Sequence, residues 1–467
     1  MKHIRTAAFI LLMPAALIAA PSGEWSDIAH QDPEWNFPPH GTTNYIDTPA
    51  QLARFAHLIN NGSHTDSTVL ITNDIDLAAH FWFPAGNWDN PFRGTLAAIP
   101  GIAIRNMTVT NCNVCTNIGA AGAGLFGYIG SGGVQSLTLA NARVTLTHAN
   151  ATVYAGIIAG WIHGGTIADC SADGTVTAAT TSASPVCAGG IVGKSIVATL
   201  VGCSADTAVT ATATYIDNAN AGGIAGANAF TLANCSSRGT ATAYSATGWA
   251  IAGGIAGKSE AGSFIANCES RSDASATGRE YGAIAGGIAG TSIGTLANCV
   301  SLGTVTATAP AENPVSAGVP TRHVGAIAGR NYGTVTACYW NKNATDLPAT
   351  DPYHHPPPPQ GVHSVAIILD PRPAIACGSF TAPPGTVNAT RSLIPLLNAW
   401  VALLNNAWGT TTRPPTTVTY VDWTLATSRD GYPTLTPACR RIHTAPSEHP
   451  SPRIKPIFRD PSWGLIP

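Results

Sequence analysis

A six-residue motif close to Ala-Gly-Gly-Ile-Ala-Gly returns through the middle of the chain. Its copies AGIIAG, AGGIVG, AGGIAG (three times) and VGAIAG end at Gly160, Gly193, Gly226, Gly257, Gly290 and Gly329. The steps between them are 33, 33, 31, 33 and 39 residues. A cysteine follows each copy after 9 to 11 residues: Cys170, Cys203, Cys235, Cys268, Cys299 and Cys338. Three of these sit in an identical ANC string, and GTVTA or a variant comes after Cys170, Cys235 and Cys299. A degenerate earlier copy, GAGLFG, ends at Gly127. Self-similarity at this period is the mark of a stacked-repeat architecture, because one unit alone cannot bury its apolar face.

Each repeat divides into three segments: the Gly-rich aliphatic run, the approach to the cysteine, and a Thr/Val/Ala run. Alternation in GTVTATA and LTLANARVTLT has the period of a strand, and no segment carries a helical stripe. Three short strands per repeat predict an all-β fold, a parallel β-solenoid, with a short N-terminal capping helix and a small C-terminal cap. A propeller blade would need about 40–45 residues and four strands. Thr48-Pro49 suits a helix N-cap followed by Pro at the first helical position. Leu52, Phe55, Ala56 and Ile59 then share one face, so a capping helix is expected over 49–60.

The ends are organised differently. Residues 1–5 are basic and an apolar run follows over 6–20, which reads as a secretory signal over 1–19. An N-terminal arm (20–44) leads to the cap and first coils (45–110), and the repeats fill 111–340. A Pro-rich linker (341–365), a C-terminal cap (366–437) and a mobile tail (438–467) complete the chain. No later stretch has the roughly 18 consecutive apolar residues of a transmembrane segment, so the expected location is secreted, extracellular or at the cell surface.

The AGGIAG, ANC and GTVTA strings resemble the GLUG motif repeat of many bacterial exported and surface proteins. Such repeats also occur beside the catalytic module of some immunoglobulin-A-specific metallopeptidases. The resemblance extends outward through YIDTPAQLARFAHLIN, VLITNDIDL and PFRGTL before the repeats, and ACYWN, LLNAWV and DGYPTL after them, covering about residues 45–435. It implies a β-solenoid and an adhesin-like role. The metallopeptidase helix motif is absent from this sequence, so no peptidase activity is carried across. AAIPGIAIRNMTV departs from the usual approach to the first coils.

Only 10% of residues are charged and the formal net charge is −2, against roughly 25% charged in an ordinary domain. Without a Lys/Arg excess, nucleic acid is not an expected partner. A hydrophobic content of 45% argues against charge-driven disorder. The net charge also hides a layout. Residues 20–89 hold nine acids and one base, residues 90–390 twelve of each, and residues from 391 onward eight bases and four acids. An acidic beginning, a neutral shaft and a basic end predict weak head-to-tail self-association.

Motifs for chemistry fail on context. GAGLFG formally fits a dinucleotide fingerprint but is followed by strand patterns rather than a helix. GTSIG around Ser292 fits a nucleophile elbow only on paper, since GKSIV and GKSEA occupy the same repeat slot. No cofactor, no metal site and no catalytic residue is expected, and the chain reads as a non-enzymatic binding module. The six repeat cysteines are expected to form a buried ladder of thiols, with disulfides between alternating pairs as the other arrangement. Cys112 and Cys115 form a lone CxxC, weak as a zinc signal. Cys377 and Cys439 flank the C-terminal region as a possible disulfide. The candidate ligand-binding residues are Tyr154, Tyr215, Tyr244, Trp249 and Tyr281, placed in loops between repeats, where aromatic rings suit a glycan or a surface protein. A carbohydrate-active β-helix enzyme and a structural spacer are the competing functions.

Overall fold

The computed structural model describes residues 22–35, 43–110, 119–215, 217–310 and 322–340, and the backbone of Trp423–Leu425 and Pro433–Leu435. The repeats form a parallel β-solenoid of about seven coils. Each complete coil has four sides where the repeat suggested three, one strand to a side except in two coils whose fourth strand is split, as into Glu269–Ser270 and Asp273–Gly278. In the first the strands are Ala120–Ala123, Phe126–Ile129, Gly133–Gln135 and Thr138–His148. Stacking gives four parallel faces, numbered here one to four in that order. Faces one and two contain seven strands each. Face three grows to ten through three strands N-terminal to the first coil, and face four to twelve through three such strands and the two split ones.

The extra strand comes from the Gly-rich run, which turns a corner between its first glycine and its second alanine, as between the strands Ala219–Gly222 and Ala225–Asn228. Close approach of main chain explains the glycines. A Cβ on Gly223 would meet the Gly254 carbonyl oxygen of the next coil at 2.2 Å, and one on Gly226 would lie 2.6 Å from the Ala188 amide nitrogen of the preceding coil. Faces one and two therefore meet along a glycine seam, which only a residue without Cβ permits. One residue, Ile or Val, points inward from face three in every coil or is replaced by Leu. Val134, Ile167, Leu200, Leu232, Ile265, Leu296 and Val335 stand in unbroken register. All are at most 5% exposed, and each contributes about 1.5–3 kcal/mol of burial.

The corner between faces three and four needs a left-handed residue. Asn234, Asn267 and Asn298 take it with φ of 54°, 53° and 53°, while Asp169 and Gly202 fill the same slot in earlier coils. These residue types bear that conformation at least cost. The three amides also form a ladder: Asn267 Nδ2 donates to Asn234 Oδ1 and Asn298 Nδ2 to Asn267 Oδ1, both at 2.8 Å. The following residue is the repeat cysteine. All six are buried free thiols, and each donates to the carbonyl two residues back, as Cys170 does to Ala168 at 3.1 Å. Burial pushes the Cys170 thiol up to about 12 and also raises Cys268 and Cys338.

The N-terminal cap is the helix Pro49–Asn60, the α-helix found among the described residues. Thr48 Oγ1 accepts from the Gln51 amide, and Gln51 Oε1 accepts from the Asp47 amide at 2.9 Å. Leu52, Phe55, Ala56 and Ile59 are buried against the rod. Phe55 stands edge-on to Phe92, which stacks on Phe126 of the first coil. Trp423–Leu425 pairs antiparallel with Pro433–Leu435. The signal segment, Cys112 and Cys115, the linker, Cys377, Cys439 and the tail lie outside the described residues, as does the rest of the C-terminal cap. Among described helices none is long and apolar enough to cross a membrane.

Candidate functional site

Face one and face two each present an outward column on the two sides of the glycine seam. On face one Gly122, Tyr154 and Cys187 are in register, and on face two Tyr128, Trp161 and Lys194. Near the N-terminal end these columns converge with Trp88, which comes from the loop between the strands Ile75–Asp76 and Thr95–Ala98. Tyr128 and Trp161, neighbours in successive coils, stack with ring centroids 4.7 Å apart. Trp88 lies nearly parallel to both, at 5.5 and 5.3 Å. Tyr154 tilts against Trp161 at 5.6 Å, and Lys194 Nζ is 5.7 Å from the Tyr154 ring centre.

These four rings line a shallow depression, open to solvent, with Ala120, Gly122 and Gly127 forming its small-residue floor. Trp88 is 38% exposed. The buried Trp161 Nε1 has no hydrogen-bond acceptor. Burial raises the Tyr154 phenol above its ordinary range and pushes the Cys187 thiol up to about 11, so both stay protonated and neutral at physiological pH. Asn60, the last helical residue, holds the loop that carries Trp88. Its Oδ1 accepts from the Gly86 amide at 2.8 Å, its Nδ2 donates to the Pro84 carbonyl at 3.0 Å, and its own carbonyl accepts from Asn90 Nδ2. The helix cap thus positions one wall of the recess.

The five aromatic residues singled out from the sequence do not form one site, and three of them are not in loops. Tyr154, Tyr244 and Trp249 lie in the strands Thr152–Gly156, Ser236–Ser245 and Trp249–Gly253. The strand period simply continues through them, so their rings stand on faces. Tyr244 projects from face four beneath Arg279. Trp249 sits opposite Gly282, which leaves its ring free to reach His323 two coils on, at 5.7 Å. One side of that indole is covered by the Arg330 guanidinium, 3.9 Å from its centre. Tyr215 is 51% exposed in a turn, and Tyr281 is half-buried in another.

Trp88, Tyr128 and Trp161 were missed. Tyr128 and Trp161 each follow the last glycine of a repeat motif, 33 residues apart, so their shared slot was readable. Trp88 lies before the repeats and carried no such signal.

Carboxylates along the rod serve the fold. Asp74 accepts from the Ala103 amide and pairs with Arg105 at 3.3 Å. Asp76 accepts from the Ala78 amide and Asn106 Nδ2. Asp273 takes both the amide and hydroxyl of Thr304, and Glu269 pairs with Arg271. Ser292 of GTSIG is buried at the end of the strand Ala289–Ser292, and the described chain continues into another strand, Thr295–Ala297, rather than a helix. Among the described residues no group of three or more His, Cys, Asp or Glu is placed to hold a metal.

No protein-family model matches this chain. No curated protein matches it in sequence. Among solved structures it is similar to the crystal structure of a "putative immunoglobulin A1 protease" from Bacteroides ovatus. The identity is 18%, the match covers 85% of this chain and 93% of that one, and the TM-score is 0.40.

Proposed function

We propose that the chain is an exported, non-enzymatic interaction module that binds glycan at the aromatic recess of its β-solenoid. The observation that carries this reading is the convergence of Trp88, Tyr128, Tyr154 and Trp161 around one opening. Sugar rings stack their C–H faces on such aromatic surfaces, and the uncharged floor admits a ring without desolvating an ion. The Lys194 ammonium beside Tyr154 supplies a donor for hydroxyl or acidic sugar oxygens. The structural duties of Asp74, Asp76, Glu269 and Asp273 favour binding over hydrolysis.

The test is a glycan array with the mature chain, followed by calorimetry on the strongest hit. Trp161→Ala and Trp88→Ala should each weaken binding at least tenfold, a loss of about 1.4 kcal/mol or more. Release of reducing ends or unsaturated products from the bound glycan would replace this reading with an enzyme. Absence of binding to any glycan would leave a spacer.

A further inference from the structure

Face four carries a second pattern, on a different face from the recess: an ordered lattice of threonines. Thr110, Thr145, Thr177, Thr210, Thr242, Ser275 and Thr306 stand opposite one another in consecutive strands without a break. Two residues further along the same strands, Thr147, Thr212, Thr277 and Thr308 form a parallel column, interrupted by Ala179 and Tyr244. The single register shift on this face, at Leu139/Ala142, precedes the threonine run. The residues between them, such as Val144, Val176, Val209 and Ala241, are fully buried. The threonines therefore all point outward.

This is a two-dimensional array rather than a single stripe. Its spacing is about 4.8 Å from coil to coil and about 6.6 Å from one threonine to the next along a strand. Each threonine offers a methyl group and a hydroxyl, and Ser275 a hydroxyl alone. The central column carries no charge; Arg143 and Asp273 stand in the column before it. Threonine is stiff at χ1, so little side-chain entropy is lost on contact with a surface. A flexible glycan chain matches such an array along one line only. A protein partner draws on aromatic and charged anchors, which on this face stand beside the central column, at Tyr244 beneath Arg279 and at Arg143 and Asp273, and not in it. A ligand that repeats in both directions on this scale is the surface of an ice crystal. Its water lattice has repeats near both spacings, and each threonine hydroxyl can hold one lattice water while the methyl sits between waters.

We infer that face four is an ice-binding surface, with the threonine columns as its contact points. This inference is independent of the glycan reading, because it uses a different face. The experiment measures thermal hysteresis, the shape of ice crystals grown in solution and inhibition of ice recrystallisation, using the mature full chain. The unmodified protein should open a hysteresis gap and facet the crystals. Thr210→Tyr places a ring in the middle of the central column, on an outward position. It should abolish hysteresis while leaving the thermal melt unchanged. Trp161→Ala should retain full hysteresis. Ala179→Thr fills a gap in the second column and should increase the effect, which keeps the proposal testable if the tyrosine variant folds poorly. Unfaceted growth with the unmodified chain, or full activity in a folded Thr210→Tyr variant, would overturn the inference, as would a decrease in Ala179→Thr.

Discussion

Cys170 is 1% exposed, with Sγ directed at the Ala168 and Val134 carbonyls. Its thiol ionises near 12 when folded, against an ordinary value of 9.0. Burial is the main cause: a thiolate there would lose its hydration. The sign of the linkage follows. Below pH 9 the thiol is protonated in both folded and unfolded chains, and its contribution is fully present. Between pH 9 and about 12 only the unfolded chain ionises, so stability falls as pH rises. The slope is at most about 1.4 kcal/mol per pH unit for this thiol. Urea midpoints measured from pH 7 to 11 should hold steady and then decline above 9, and Cys170→Ala should decline less steeply. Equal slopes in the two proteins would show that this thiol is not protected by the fold. The cysteine slot was legible from spacing. The residue before it was less so, since Asn, Asp, Gly and, before Cys338, Ala stand there. All take a left-handed backbone, which the first three tolerate best and no single letter reveals.

The capping helix shows what an element needs before it can be read. Thr48-Pro49 marked its start, a spaced set of apolar residues marked its buried face, and the observed helix is Pro49–Asn60. Local chemistry determines all of these. The Gly-rich run behaved otherwise. Its sequence reads as one strand because its division depends on contacts between coils 31 to 33 residues apart, and those contacts leave no period within the run. The helix also plugs the open end of the solenoid, where unpaired strand edges would otherwise face solvent. Phe55 is 1% exposed and joins the Phe92–Phe126 stack. Phe55→Ala should therefore cost about 3–5 kcal/mol, whereas Thr48→Ala, which removes one exposed cap bond, should cost about 1 kcal/mol. Denaturation followed by tryptophan fluorescence measures both. Equal costs would mean that the helix decorates the end of the rod without closing it.

At the scale of the whole molecule, each coil touches its neighbours and the first coil meets the cap, so the solenoid transmits little beyond adjacent units. Charge is the property that changes along the sequence. Residues 20–89 carry a net charge of −8, from nine acids and one base, and the chain from 391 onward carries +4, from eight bases and four acids. The shaft between them balances twelve acids against twelve bases. Such a layout favours the acidic end of one copy meeting the basic segment of another. Coulombic attraction between solvated groups fades beyond about 10 Å at 0.1 M salt, so the association should be weak and should vanish at high ionic strength. Asp74 is already paired with Arg105, which removes one charge from the attractive set and makes the interaction weaker than the totals suggest. Sedimentation velocity at increasing protein concentration should show a rising weight-average coefficient at about 20 mM salt and a constant one at about 0.5 M. Removing residues 438–467, which hold Arg440, Arg441, Arg453, Lys455 and Arg459, should flatten the low-salt series. A concentration dependence that survives high salt would assign the contact to apolar surface, and none at either salt would mean that the charge asymmetry does not hold copies together.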